Sequence, residues 1–207
     1  MHLQIVSMDN RQRIIEEAAL LFRTYGIRAV TMDMLANEMG ISKRTIYEAF
    51  KDKDELLQGV LKWMTIKQRE AMTKILSETE NVIEAIFKMI DLMIDHFQNM
   101  SPAFQMDLKR YHNEIFKKLG ENDELPYYRN HIEIIKRGIT EGVFRKDFDV
   151  EIMNKCLLEV ERMSNDKSVF PPDDFMNKDV MRTFYINFMR GISTQKGLDL
   201  INFYDKK

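Results

Sequence analysis

The order of apolar and polar positions predicts a chain built of helices from one end to the other. Ile14, Ile15, Ala18, Leu21 and Phe22 share one helical face, where successive residues turn by about 100°. Gly26 stands where a left-handed C-terminal cap belongs. Thr31 can cap a short second helix with Leu35, Ala36 and Met39 on its inner face; Gly40 makes the next turn and Ser42 caps a third helix. In that third helix Ile46, Ala49 and Phe50 point inward with Ser42, and Lys43, Arg44, Tyr47, Glu48 and Lys51 share the opposite face. Asp52 and Glu55 give a capping-box-like start to a long fourth helix, which carries Leu56, Leu57, Val60, Leu61 and Met64 and continues toward Ile75.

The pattern stays helical beyond that point. Val82, Ile83, Ile86, Phe87, Ile90, Met93, Ile94 and Phe97 form a broad stripe. Ser101-Pro102 reads as an N-cap with proline at the first helical position, and Gly120 closes that helix. Further helices are expected from Pro126 to Gly142, from a cap at Asp149 to Met163, around Val180 to Met189, and in a short tail from Thr194 to Phe203. Pro171-Pro172 mark a loop. No strand pattern or internal repeat interrupts the series.

Composition narrows the function classes. A hydrophobic share of 44% supports a packed core, and eight Gly with four Pro argue against a turn-rich β fold. The single cysteine, Cys156, excludes an internal disulfide framework; its flanks Ile152, Met153, Leu157 and Val160 suggest a buried, inert thiol. Residues 1–8 carry no basic leader and too short an apolar run for a secretory signal. No apolar stretch approaches a membrane span. A cytoplasmic protein is expected, with either Met1 or Met8 as its start. Neither a phosphate loop, a nucleophile elbow nor a metal-ligand cluster is present, so no enzyme activity, cofactor or metal is expected. His96, His112 and His131 lack the i,i+4 pairing of a metal site.

A net charge of −2 argues against a general polyanion binder. Residues 1–62 hold nine basic and nine acidic side chains, while the 41–53 stretch is locally positive, by two charges. A short helix with Lys43, Arg44 and Tyr47 on its free face can enter a DNA major groove, where Arg and Lys donate to guanine O6/N7 or to phosphates. The same face also reads as a solvated surface with an Arg44–Glu48 i,i+4 pair.

Context separates the two readings. Ile15, Ala18, Leu21, Phe22, Gly26, Thr31, Leu35, Ala36, Gly40, Ile41, Ser42, Thr45, Ile46, Tyr47, Phe50, Lys53 and Leu56 closely resemble the DNA-binding domain of TetR-family transcriptional regulators. A weaker resemblance lies in Gly138–Arg145 and Arg190–Ile192. Met39, Glu48 and Ala49 depart from the family pattern. The resemblance implies an all-α fold: a three-helix helix-turn-helix head over residues 9–54, and a larger helical ligand-binding and dimerisation domain over 55–207. It implies phosphate contacts from Thr31, Tyr47 and Lys53, and places Lys43, Arg44 and Thr45 at the groove. Glu48 can accept from cytosine N4, repel phosphate, or simply neutralise Arg44.

The expected partners are a palindromic double-stranded DNA operator, a second copy of the chain, and a small effector. For the effector, Met93, Phe97, Phe104, Tyr111, Tyr128 and His131 offer a Met- and aromatic-lined surface suited to a hydrophobic or aromatic molecule, although such spacing also describes plain core. For the dimer, Leu157, Val160, Phe184, Tyr185 and Phe188 are candidates for half of an intersubunit four-helix bundle, with ordinary intramolecular core as the other reading. The expected function is a repressor released from DNA by its effector. The competing one is a helical protein-interaction module whose head does not bind DNA specifically.

Overall fold

A computed structural model describes residues 2–111, 127–164, 166, 168–171, 174 and 176–206. Ten helices lie among the described residues: α1 (His2–Tyr25), α2 (Met32–Met39), α3 (Lys43–Ala49), α4 (Lys53–Glu78), α5 (Val82–Gln98), α6 (Pro102–Tyr111), α7 (Tyr127–Thr140), α8 (Val150–Ser164), α9 (Asn177–Ile192) and α10 (Gln195–Tyr204). Among the described residues there is no strand, only an isolated antiparallel bridge between Phe144 and Ser193. None of these helices is long and apolar enough to cross a membrane. Gly120, the expected end of the helix begun at Pro102, lies outside the described residues.

Most helix starts are set by the side chains expected to set them. The Thr31 hydroxyl accepts from the Met34 N–H at 3.0 Å and that of Ser42 from the Thr45 N–H at 3.1 Å. Asp52 accepts from the Glu55 N–H at 2.8 Å, and the Glu55 carboxylate reaches back to the Lys51 N–H at 2.8 Å. Ser101, Asp149 and Thr194 cap α6, α8 and α10 in the same way. Each bond satisfies an N–H that the first helical turn leaves without a backbone acceptor.

The chain forms two compact units. One takes in the described residues through Arg69 and those from Phe97 to Tyr111; the other takes in Glu70–His96 and the described residues from Tyr127 onward. The first unit therefore extends past residue 54 and includes α6. Its core joins Ile14, Ala18 and Phe22 of α1 to Leu35, Ile46, Phe50, Leu57 and, from α6, Phe104. Gly26, at φ 89°, makes that docking possible: a Cβ there would lie 2.9 Å from the Cβ of Ala103.

In the second unit the two stretches of weaker family resemblance meet. The Arg145 N–H donates to the Ile192 carbonyl at 2.8 Å, and the Arg145 guanidinium to that of Gly191, also at 2.8 Å. Arg137 ties the end of α4 to α7 by donating to the carbonyls of Leu76 and Thr79. Its partner Glu141 accepts the Val82 N–H at the start of α5.

Cys156 corrects the sequence reading: it is exposed. The apolar positions of α8 fan over a broad arc, and only the Leu157 edge of it turns into the core. Asn154 and Leu157 turn inward, while Ile152 and Met163 stay outside with Cys156, at 60% and 39% exposure. Residues 152, 156 and 163 fall within about 40° of each other at 100° per residue, so they form a real stripe.

Candidate functional site

The exposed face of α3 is built from its anchors outward. Ile46 and Phe50 are fully buried in the head core, and Ala49 is half-buried. Ser42, expected inside with them, is exposed, because its hydroxyl must reach the Thr45 N–H at the helix start. Gly40 turns the chain between α2 and α3 at φ 64°. With the inner face pinned, Lys43, Arg44, Tyr47 and Glu48 project outward together, and Thr45 is half-buried beside them.

These side chains are already engaged with one another. Lys43 Nζ donates to Asp33 of α2 at 2.7 Å, and this hydrogen bond raises the lysine above its ordinary pKa. Arg44 Nε donates to Glu48 at 2.9 Å. The Arg44–Glu48 pair expected of a solvated face is therefore present on the same surface that presents the groove candidates.

Lys53 takes a different position. It is half-buried, donates to the Val30 carbonyl, and sits 5.8 Å from the centre of the Phe22 ring. Burial lowers its pKa, partly opposed by the charges of Asp107 and Asp54. Thr31 is exposed at the α2 start with its hydroxyl occupied as the cap. Thr31, Lys43, Arg44, Thr45, Tyr47 and Lys53 thus all belong to the same helix-turn-helix unit.

A second feature lies wholly within the other unit. A cavity of about 40 Å³ is enclosed by α4, α5, α7, α8 and α9, with Phe144 between α7 and α8. Four methionines contribute to its wall, Met72, Met89, Met93 and Met189, together with His131 and Tyr185 as the polar-tipped members. The Tyr185 hydroxyl lies 3.8 Å from the Met93 sulfur.

Of the six expected effector contacts, Met93 and His131 line this cavity. Phe104 does not: it is 1% exposed in the head core, where α6 docks. The side chains of Phe97, Tyr111 and Tyr128 lie outside the described residues. Leu157, Tyr185 and Phe188, assigned from sequence to the dimer face, also line the cavity, while Val160 and Phe184 are half-buried elsewhere. Sequence reasoning missed Met72, which lies beyond the apolar positions named for the fourth helix, and put Met189 in the last apolar stripe, with the candidates for the dimer face.

Known proteins share the sequence and the fold of this chain. Residues 14–60 match the model for bacterial regulatory proteins of the tetR family. The chain is 32% identical over 165 residues to an uncharacterized HTH-type transcriptional regulator, YhgD of Bacillus subtilis, covering 75% of this chain and 82% of that one. It is 30% identical over 153 residues to the HTH-type transcriptional repressor KstR2 of Rhodococcus jostii, covering 71% and 74%. A transcriptional regulator from Cytophaga hutchinsonii superposes with a TM-score of 0.69 at 25% identity, over 88% of this chain and 98% of the other.

Proposed function

Because this chain belongs to the TetR family of bacterial regulatory proteins, and so regulates transcription rather than catalysing a reaction, we propose that it is a repressor released from a palindromic operator by a small hydrophobic or aromatic effector. The observation that carries this reading is the outward set on α3, Lys43, Arg44 and Tyr47, held in place by the Ser42 cap and the buried Ile46 and Phe50. A helix so anchored presents basic donors at fixed positions, as base and phosphate contacts require. Residues 9–54 supply the DNA contacts, with Thr31, Tyr47 and Lys53 on phosphates and Lys43, Arg44 and Thr45 at the groove. Lys53 reaches a phosphate by leaving the Val30 carbonyl.

The remainder, 55–207, binds the effector and a second copy of the chain. The relative from Rhodococcus jostii is itself named a repressor, which supports repression here. The effector site is the methionine-walled cavity around Met93 and His131. At about 40 Å³ it is far smaller than the roughly 150 Å³ cavity that accepts a benzene ring. An effector therefore has to displace wall side chains, and methionine, with three rotatable bonds, yields readily. A ligand that binds only the opened arrangement shifts the protein toward it, and a coupling of about 1–3 kcal/mol changes operator affinity by 5–150-fold.

The dimer uses the outer side of α8, where Ile152, Cys156 and Met163 are exposed, rather than Leu157 and Tyr185, which the single chain already buries. The protein works in the cytoplasm, where its operator lies. Selection of bound duplexes from a random pool tests the reading. A recovered palindrome supports a regulator acting as a dimer; an unenriched pool favours the interaction module.

A further inference from the structure

On the outer face of α3, Lys43 and Arg44 are each paired with a carboxylate, Asp33 and Glu48. Asp33, in the first turn of α2, holds Lys43 of α3 at 2.7 Å, and both side chains are about half exposed or more, at 64% and 47%. This pair bridges two helices, unlike the Arg44–Glu48 pair within α3. Because Asp33 is held against Lys43, its charge lies beside the face proposed to meet the polyanion. A carboxylate here weakens attraction to any duplex, which is costly unless it improves discrimination.

Resting on the DNA-binding reading above, we propose that Asp33 is a specificity-determining residue: it keeps Lys43 off phosphates in sequence-independent complexes and yields it only to an operator. The physical basis is exchange. A solvent-exposed ion pair is weak, so a well-aligned acceptor in the groove displaces the carboxylate. A loosely held random duplex offers no such alignment, and Lys43 stays with Asp33. Sequence-independent binding is almost entirely counterion release from phosphates, so each lysine withheld reduces it directly. Asp33 therefore acts by subtracting from the wrong complexes more than from the right one.

The test is the salt dependence of binding to a random duplex and to the selected operator, for the wild type, Asp33→Asn, Lys43→Gln and the double variant. Asparagine keeps the shape of the side chain and leaves the Thr31 cap in place, and circular dichroism checks the fold. With Asp33→Asn the random-duplex slope of log K against log salt steepens by about 0.9 per head, hence about 1.8 per dimer. Random-duplex affinity at low salt rises by roughly tenfold for two added phosphate contacts. The operator slope stays as in the wild type, and the steepening vanishes in the double variant. An unchanged random-duplex slope overturns the proposal, as does an equal rise with and without Lys43, which would mean that Asp33 merely repels phosphate. If the wild type prefers no duplex over any other, the regulator reading has failed as well; if it holds its operator while Asp33→Asn changes nothing, this inference alone has.

Discussion

Asp107 of α6 accepts the backbone N–H of Arg28 at 2.8 Å, across 79 residues of sequence. Asp107 is 8% exposed, so the bond links an interior carboxylate to the turn that leads into α2. The Ser101 N–H, donating to the Arg23 carbonyl at 2.9 Å, fixes the start of the same helix. Removing the Asp107 carboxylate leaves the Arg28 N–H short of its acceptor, at a cost of about 1–3 kcal/mol. Urea denaturation of Asp107→Ala should show a loss in that range, with the midpoint lowered and the slope kept.

The two left-handed glycines of the head differ in what surrounds them. Gly40, at φ 64°, has nothing within 4 Å of a built Cβ, so alanine there meets only the backbone penalty of about 1–2 kcal/mol. Gly26, at φ 89°, carries the same penalty and also faces Ala103, whose Cβ would be 2.9 Å away and whose backbone carbon 3.3 Å. Gly26→Ala should therefore destabilise clearly more than Gly40→Ala in parallel thermal melts. Equal losses would mean that α6 does not press on this turn.

Lys53 gives stability a pH dependence of definite sign. Burial holds its folded-state pKa below 10.5, so between that lowered value and 10.5 the unfolded chain binds more protons than the folded one. Stability contributed through Lys53 therefore rises with pH across that window and is flat well below it. Relative to Lys53→Met, which cannot titrate, the wild type should gain unfolding free energy as the pH rises through the window just below 10.5, followed by denaturation at several pH values. A wild-type stability that falls relative to Lys53→Met as the pH rises would contradict the buried position of the amine.

The outer stripe of α8 predicts the oligomeric state. Ile152, 60% exposed in the single chain, becomes buried if the stripe pairs with its copy. Ile152→Arg would then place an unpaired charge in an apolar contact and shift the protein toward monomer in sedimentation velocity, without changing its helical content. A wild-type monomer, or a variant that dimerises as well as the wild type, would remove α8 from the interface.

What the sequence disclosed follows the range of the interactions. Thr31, Ser42, Asp52 with Glu55, Ser101 and Asp149 were readable as caps because each acts within four residues of itself. The Asp107–Arg28 bond was not, since nothing near Asp107 announces a partner 79 residues away. Phe104 was misplaced for the same reason: its helix follows the α5 stripe in sequence yet packs in the head. Cys156 failed differently. Five apolar residues between 152 and 160 fit one broad face, and only the neighbours of α8 decide that Leu157 goes in while Ile152 and Cys156 stay out. On α3 the outward set was legible, but the Lys43–Asp33 bond depends on the angle between two helices.

The affinity ratio between a selected palindromic duplex and a scrambled one of equal length, taken by fluorescence anisotropy near physiological salt, tests the central claim most directly. Family regulators that read bases through an anchored helix should prefer the palindrome by about a thousandfold or more. Indistinguishable affinities for the two duplexes, with the protein folded and its oligomeric state verified in the same buffer, would contradict it.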